Sequence, residues 1–315
     1  MTAYTLRRLA EVVPTVAGIT LLTFLIIRLI PGDPAEFIAG DNLSAENLAA
    51  VRERLGLDQP ITRQLADYVL GVCRLDFGTS LLTNLPVSTL IATALPVTIV
   101  LAVSGMVLGT LIAIPLGALA AYQGWRGRKL LDQAMTWCAM VVDQMPSFWL
   151  GLIFMLVFVL HLGWFPATGP VSWDDPGALV LRLLPAVLIL GVDQVASLSR
   201  ITRTSVRDVL DEDYIRTARS LGESGLSTLF RQAVRNGLLP VVTAMGLSFG
   251  RLLGGTVILE SIFALPGLGT LLVNAINGRD YPIVQGVVFI YALLFVLLNL
   301  ATDITYRRID PRVRY

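Results

Sequence analysis

Six predominantly apolar runs, at about 9–30, 94–121, 133–162, 179–202, 238–261 and 284–304, constrain this chain more than any other feature. Each is near or beyond the roughly 20 residues a helix needs to cross the hydrocarbon layer. Only 15% of residues are charged, against about 25% in soluble domains, and mean hydropathy is +0.71. The surplus apolar surface must face lipid. The pattern predicts an all-α polytopic membrane protein with six transmembrane helices. The third run is interrupted by "VVDQMPSFW", where Asp143 and Pro146 predict a kink. A straight helix rising roughly 1.5 Å per residue would overshoot the bilayer there, so the first part is expected near the interface. Two arginines ahead of the first run resemble a secretory leader. The run is too long for one and lacks a convincing A-x-A cleavage site, so it reads as a retained first span.

Lysine and arginine set the orientation, because cytoplasmic loops carry their excess. Arg7 and Arg8 precede span one, and "WRGRK" (125–129) lies between spans two and three. Arg203, Arg207, Arg216, Arg219, Arg231 and Arg235 lie between spans four and five, and Arg307, Arg308, Arg312 and Arg314 follow span six. The opposite loops hold only Arg52, Arg54, Arg63, Arg74 and Arg279. Both termini are therefore expected in the cytoplasm. Residues 1–30 form an N-terminal segment with the first span, and 31–93 an extracytoplasmic helical insertion with a break at Gly56 to Pro60. Residues 94–315 form a five-span core with a cytoplasmic loop at 203–237 and a cytoplasmic tail. There is no internal repeat and no low-complexity tract.

One stretch does not suit a membrane bundle. "DYIRTARSLGESGLSTLFRQAVRNGLLPVV" (213–242) is polar, basic and rich in small residues. Acids crowd its start, where the helix dipole favours them, and Asp213 is expected as N-cap. Gly222 and Gly225 flank Glu223 and Ser224, which predicts a turn. Leu226, Leu229, Phe230, Ala233, Val234 and Gly237 then share one helical face. Pattern alone leaves two readings open: a solvated loop held by anionic lipid, or a protruding elbow for a cytoplasmic protein. Thr217, Ala218, Ser220 and Gly222 favour the second, since small residues let another surface approach closely.

Catalytic chemistry finds little support. The only lysine, Lys129, lies outside any Gly-Lys-Ser/Thr phosphate loop. "GLSFG" (246–250) matches the G-x-S-x-G pattern of serine hydrolases, but the only histidine, His161, lies upstream of it. Gly246, Gly250 and Gly254 instead predict a smooth face for helix packing, with Gly105 and Gly109 as a shorter case. Cys73 and Cys138 suggest neither a disulfide framework nor a thiolate metal site, and one histidine excludes a histidine-rich one. Arg28, Asp143, Asp193, Arg251 and Glu260 lie within or at the margin of spans, where ionisable groups are costly. Pairing or snorkelling accounts for Arg28 and Glu260. Asp143, Asp193, Arg251 and Glu260 together form the set of pathway or gate candidates. A proton-coupled secondary transporter relaying through such acids is a rival reading, against which stand six spans without an inverted repeat.

"YIRTARSLG" and "LFRQAVRNGLLPVVT" resemble the EAA-type coupling loop of ABC-importer permeases. "IPGDPA" (30–35), "LGLDQP" (55–60), "DFGTS" (76–80), "MPSFWLGL" (145–152) and "SRITRTSV" (199–206) narrow the resemblance to the B-type permease of dipeptide, oligopeptide and nickel importers. "ESIFALPGLGTLLVNAINGRDYPIVQG" (260–286) and "NLATDITYRRIDPRVRY" (299–315) extend it over nearly the whole chain. The letters E-A-A are absent; Thr217, Ala218 and Arg219 stand in that region. The resemblance implies the type I importer permease fold in a bacterial inner membrane and a peptide cargo, with nickel as the alternative. It also implies a C-type permease partner, an extracytoplasmic substrate-binding protein, two ABC ATPase subunits that bind ATP and Mg, no cofactor in this chain and no nucleic-acid partner. The residues it assigns to ATPase coupling are Asp213, Tyr214, Ile215, Thr217, Ala218, Arg219, Leu221 and Gly222. "ALPGLG" (264–269) is either a loop touching the binding protein or plugging the exit, or a plain turn.

Overall fold

The computed structural model describes residues 2–29, 52 and 58–309, with the side chains of 11–25, 52 and 58–302. Among these residues the chain is helical, with one isolated bridge between Thr79 and Pro86. In chain order the helices are α1 (Thr2–Leu29), α2 (Ile61–Cys73), α3 (Val87–Trp125), α4 (Lys129–Asp143) and α5 (Ser147–Phe154). They continue as α6 (Pro176–Leu210), α7 (Asp213–Ser220), α8 (Gly225–Ile262), α9 (Leu268–Asn277) and α10 (Tyr281–Ile309). Four helices, α3, α6, α8 and α10, are long and apolar enough to cross a bilayer, and a fifth span is reached if the bent pair α4–α5 counts as one. The expectation of six spans thus stands at four to five among the described residues; α1 adds only a shorter apolar stretch over Glu11–Leu25.

Local chemistry explains the boundaries. Asp175 caps α6, its Oδ1 accepting from the amides of Gly177 and Ala178 at 3.0 and 3.1 Å, with Pro176 in the first helical position. There the missing N–H costs nothing. Pro146 is extended ahead of α5 (φ −60°, ψ 134°). The ring also disfavours helix in the preceding residue, so the helix breaks there, and α4 and α5 meet at 88°. The kink expected at Asp143 to Pro146 is therefore a right-angled break. Wider π-type turns follow α5 over Met155–His161 and open α8 over Thr228–Val234.

The chain divides into two compact units, one of residues 1–96 and 266–297 and one of 97–265 and 298–315. In the first, Phe77, Val87, Ile91, Leu268, Ile283 and Val287 form the core. Tyr68 of α2 packs on α1 through Phe24, ring centroids 5.8 Å apart, and through a 3.0 Å hydrogen bond with Thr23. Buried Asp280 accepts from the Ser80 hydroxyl at 2.6 Å and from the Leu81 and Leu82 amides at 3.0 and 3.3 Å, tying the 80–82 turn to the start of α10. Of the expected insertion over 31–93, residues 31–57 apart from Arg52 lie outside the described residues, Gly56 of the expected break among them.

In the second unit α8 packs along α6, and α5 and α4 also pack against α6. Gly105 and Gly109 of α3 sit directly on Leu190 and Gln194 of α6. The shorter glycine pair is thus a close helix contact. The expected trio behaves differently: Gly246 abuts Thr302 of α10, whereas Gly254 has nothing within 4 Å of where a Cβ would stand. Among the described residues Gly246 and Gly254 therefore do not share one packing face.

Candidate functional site

Between α6 and α8 the chain builds a short elbow. α7 is closed by paired backbone bonds: the Gly222 amide donates to the Arg219 carbonyl at 3.0 Å, and the Glu223 amide to the Ala218 carbonyl at 3.2 Å. This Schellman arrangement needs a left-handed residue at its second-last position, and Gly222 supplies it with φ +90°. Ser224 then caps the next helix by accepting from the Ser227 amide. Glu223 accepts from the Ser227 hydroxyl at 2.8 Å and from the Gln232 amide group, binding the turn to the base of α8. The helix that follows the turn is continuous with span five.

The body of α7 is clamped from below. Ile215 is fully buried among Tyr122, Val206, Leu210, Leu229 and Ala233, a burial contributing about 2–3 kcal/mol. The Arg219 guanidinium lies 4.7 Å from the centre of the Trp125 ring at the end of α3, and the Asn236 amide donates to the Tyr214 hydroxyl at 2.8 Å. The Tyr122 ring runs against Gly225, where any Cβ would collide with its hydroxyl. The elbow is thus joined to α3, α6 and α8 at once.

The expected coupling residues divide by position. Asp213, Tyr214, Thr217, Arg219, Leu221 and Gly222 are exposed, and Ala218 is half-buried. Ile215 is a correction: its side chain is core and offers no contact surface. Asp213 is a second correction. Glu212 occupies the N-cap position without a side-chain bond, and Asp213 is the first helical residue, 3.5 Å from Arg216. Such a surface pair contributes little. On the expected face of the following helix, Leu229, Ala233, Val234 and Gly237 are buried, while Leu226 and Phe230 are exposed.

The charges within spans form a second constellation. Asp143 and Arg200 close an ion pair at 2.5 Å. Arg251 donates to the hydroxyls of Ser197 and Ser248 at 3.3 and 3.1 Å. Asp193 accepts from the Gln194 amide group at 3.3 Å. Glu260 is fully buried and accepts from the Thr98 hydroxyl at 2.7 Å. The side chain of Arg28 lies outside the described residues. "GLSFG" lies wholly inside α8, so it lacks the strand-to-helix turn of a nucleophile elbow, and Ser248 is buried. Among the described residues no group of three or more His, Cys, Asp or Glu side chains suits a metal ion.

Two polar anchors escaped the sequence reading. Asp132 of α4 is 6% exposed in its side chain and takes a bidentate bond from Arg203, with Arg207 at 3.8 Å. Arg182 of α6, also buried, donates to the carbonyls of Phe263 and Ala264 at 2.7 and 3.1 Å and to those of Pro166, Ala167 and Gly169. The available signal was the lone arginine inside the apolar run "ALVLRLLPAV", and arginines four residues apart on the end of one helix.

The fold is similar to that of a methionine ABC transporter solved in inward-facing conformations, with a TM-score of 0.60 at 16% identity over 70% of this chain and 96% of that one. That likeness bears on the fold alone; the family match gives the class, a membrane permease subunit of an ABC transporter. Residues 113–315 match the family described as binding-protein-dependent transport system inner membrane component, and residues 1–102 match its N-terminal region. Relatives include a proposed peptide transport system permease of Brucella abortus (strain 2308), 43% identical over 318 residues and the whole of both chains. A glutathione transport system permease of Salmonella typhimurium (strain LT2) is 41% identical over 315 residues, again end to end. This chain belongs to the family of binding-protein-dependent transport system inner membrane components. Membership implies ATPase and substrate-binding-protein partners.

Proposed function

We propose that this permease imports di- or oligopeptides, forming half of a pathway completed by a C-type permease. Its elbow at 213–222 docks on one of two separate ATPase subunits, which bind ATP and Mg and supply the hydrolysis. Both termini and the elbow face the cytoplasm; residues 31–93 and the binding protein lie outside. The full-length similarity to peptide and glutathione permeases supports the cargo class. One observation carries the docking role: the elbow is clamped to three helices, yet it presents Leu221 at its tip with 83% exposure. With Tyr214, Leu226 and Phe230 also exposed on the elbow and the helix that follows it, this apolar surface fits burial by a partner. Closure of the ATPases then displaces the elbow and, through Ile215, Arg219 and Tyr214, tilts the helices to which it is joined. The pathway shifts between inward- and outward-facing populations according to which state the ATPases bind better.

The test is Leu221→Glu in the complete transporter. ATPase subunits are expected to stop co-purifying with the permease, and labelled dipeptide uptake to fall at least tenfold, about the loss of 1.4 kcal/mol of binding. The amount of permease in the membrane stays at the wild-type level. Normal co-purification together with normal uptake would remove the docking role.

A further inference from the structure

Two of the charges within the membrane spans lack an ionic partner. Asp143 and Arg200 neutralise each other at 2.5 Å. Asp193 and Arg251 do not: among the described residues neither forms an ion pair within 4.0 Å, and their contacts are neutral, an amide for Asp193 and two hydroxyls for Arg251. A charge within a span is costly, so two opposite charges, one held a helical turn from the other and neither ion-paired, call for a reason. The space around Arg251 is open. Arg251, Leu247 and Ile258 are exposed along one face of α8, and Gly254, one turn beyond Arg251, meets nothing within 4 Å.

We infer that Asp193 and Arg251 are the two poles of a binding site for zwitterionic cargo, Asp193 taking the ammonium group and Arg251 the carboxylate. The inference rests on the peptide-importer reading and adds which ends of the peptide the membrane subunit reads. The spacing fits. Arg251 is held at Ser197, one helical turn past Asp193 on α6, which is about 6 Å along the axis. The charged ends of an extended dipeptide are separated by roughly 7 Å, two residues of chain. Asp193 lies at the middle of α6, which runs Pro176–Leu210, so the cargo's charges meet counter-charges where bare hydrocarbon would oppose them most. The hydroxyls of Ser197 and Ser248 orient the guanidinium without cancelling it, leaving its charge for the carboxylate.

The experiment measures binding of dialanine, N-acetyl-dialanine and dialanine amide to the assembled transporter in nanodiscs by saturation-transfer NMR. The binding protein is omitted so that its own selectivity does not intervene, and dialanine uptake by the complete transporter is followed in parallel. Wild type is expected to prefer dialanine to both blocked forms. Arg251→Gln erases the preference over the amide, Arg251→Lys retains it, and Asp193→Asn erases the preference over the acetylated form. Each neutral variant lowers dialanine uptake about tenfold or more, as expected when one partner of a desolvated charge pair is lost. Equal losses for all three probes, or preferences untouched by either neutral variant, would overturn the site and leave the two residues structural. Absence of dialanine uptake by the wild-type transporter would instead strike the peptide reading itself.

Discussion

Gly222 carries two demands that substitution separates. Its φ of +90° closes α7, and the space where a Cβ would stand is empty to 4 Å. Alanine there meets no neighbour, so its cost is backbone strain alone, about 1–2 kcal/mol for an L-residue in the left-handed region. Gly222→Ala is therefore expected to lower the thermal midpoint of the detergent-solubilised protein by a few degrees. Gly222→Asn should lower it less, because asparagine tolerates that conformation. If both variants keep the elbow folded but lose ATPase coupling, the glycine serves the partner's close approach. If coupling falls only in step with the thermal midpoint, the glycine serves the turn. Leu221 beside it has no such structural duty, which makes it the cleaner probe of docking. Gly222 and Gly225 around Glu223 and Ser224 already suggested a turn from the sequence. Nothing in the local letters marked Ile215 as an inward anchor rather than a contact, because its burial depends on Tyr122, Val206 and Leu229, brought together only by the fold.

At the scale of elements, the helices were legible because a span is a local property: a long enough apolar run needs no tertiary knowledge to be recognised. The break at Pro146 was legible for the same reason, as proline acts on its own backbone. The direction of that break was not, since 88° is set by what α4 packs against. α4 is exposed along most of its length, and its one buried residue is Asp132, held by Arg203 and Arg207 of α6. Asp132→Ala leaves both guanidinium groups without this acceptor. It is expected to cost about 2–3 kcal/mol, less than a fully buried pair would lose, because Arg203 and Arg207 keep 24% and 47% side-chain exposure. Chemical unfolding in detergent measures it. The double variant Asp132→Ala/Arg203→Ala should be less destabilised than the sum of the two singles, since it also removes the orphaned charge. Strict additivity would show that the pair does not hold α4 in place.

At the scale of the whole molecule, orientation is the property that the sequence speaks to and the fold alone does not. Helix geometry is indifferent to which way a bundle is inserted; arginine distribution is not, because positive loops resist translocation. The elbow carries Arg216 and Arg219. α2, on the opposite set of loops, shows exposed Val69 and Leu70. Thiol labelling tests the assignment after the native thiols are removed, since Cys73 and Cys138 are both free and exposed. In a Cys73→Ser/Cys138→Ser background, Val69→Cys is expected to react with a membrane-impermeant maleimide added to intact spheroplasts. Leu221→Cys and Thr5→Cys should react only once the membrane is opened. In the assembled transporter Leu221→Cys should react more slowly than in the isolated permease, because a docked ATPase covers it. Labelling of Leu221→Cys from outside would invert the topology. With it would go any contact between the elbow and a cytoplasmic ATPase, since the elbow and its engine must share a compartment for force to pass between them.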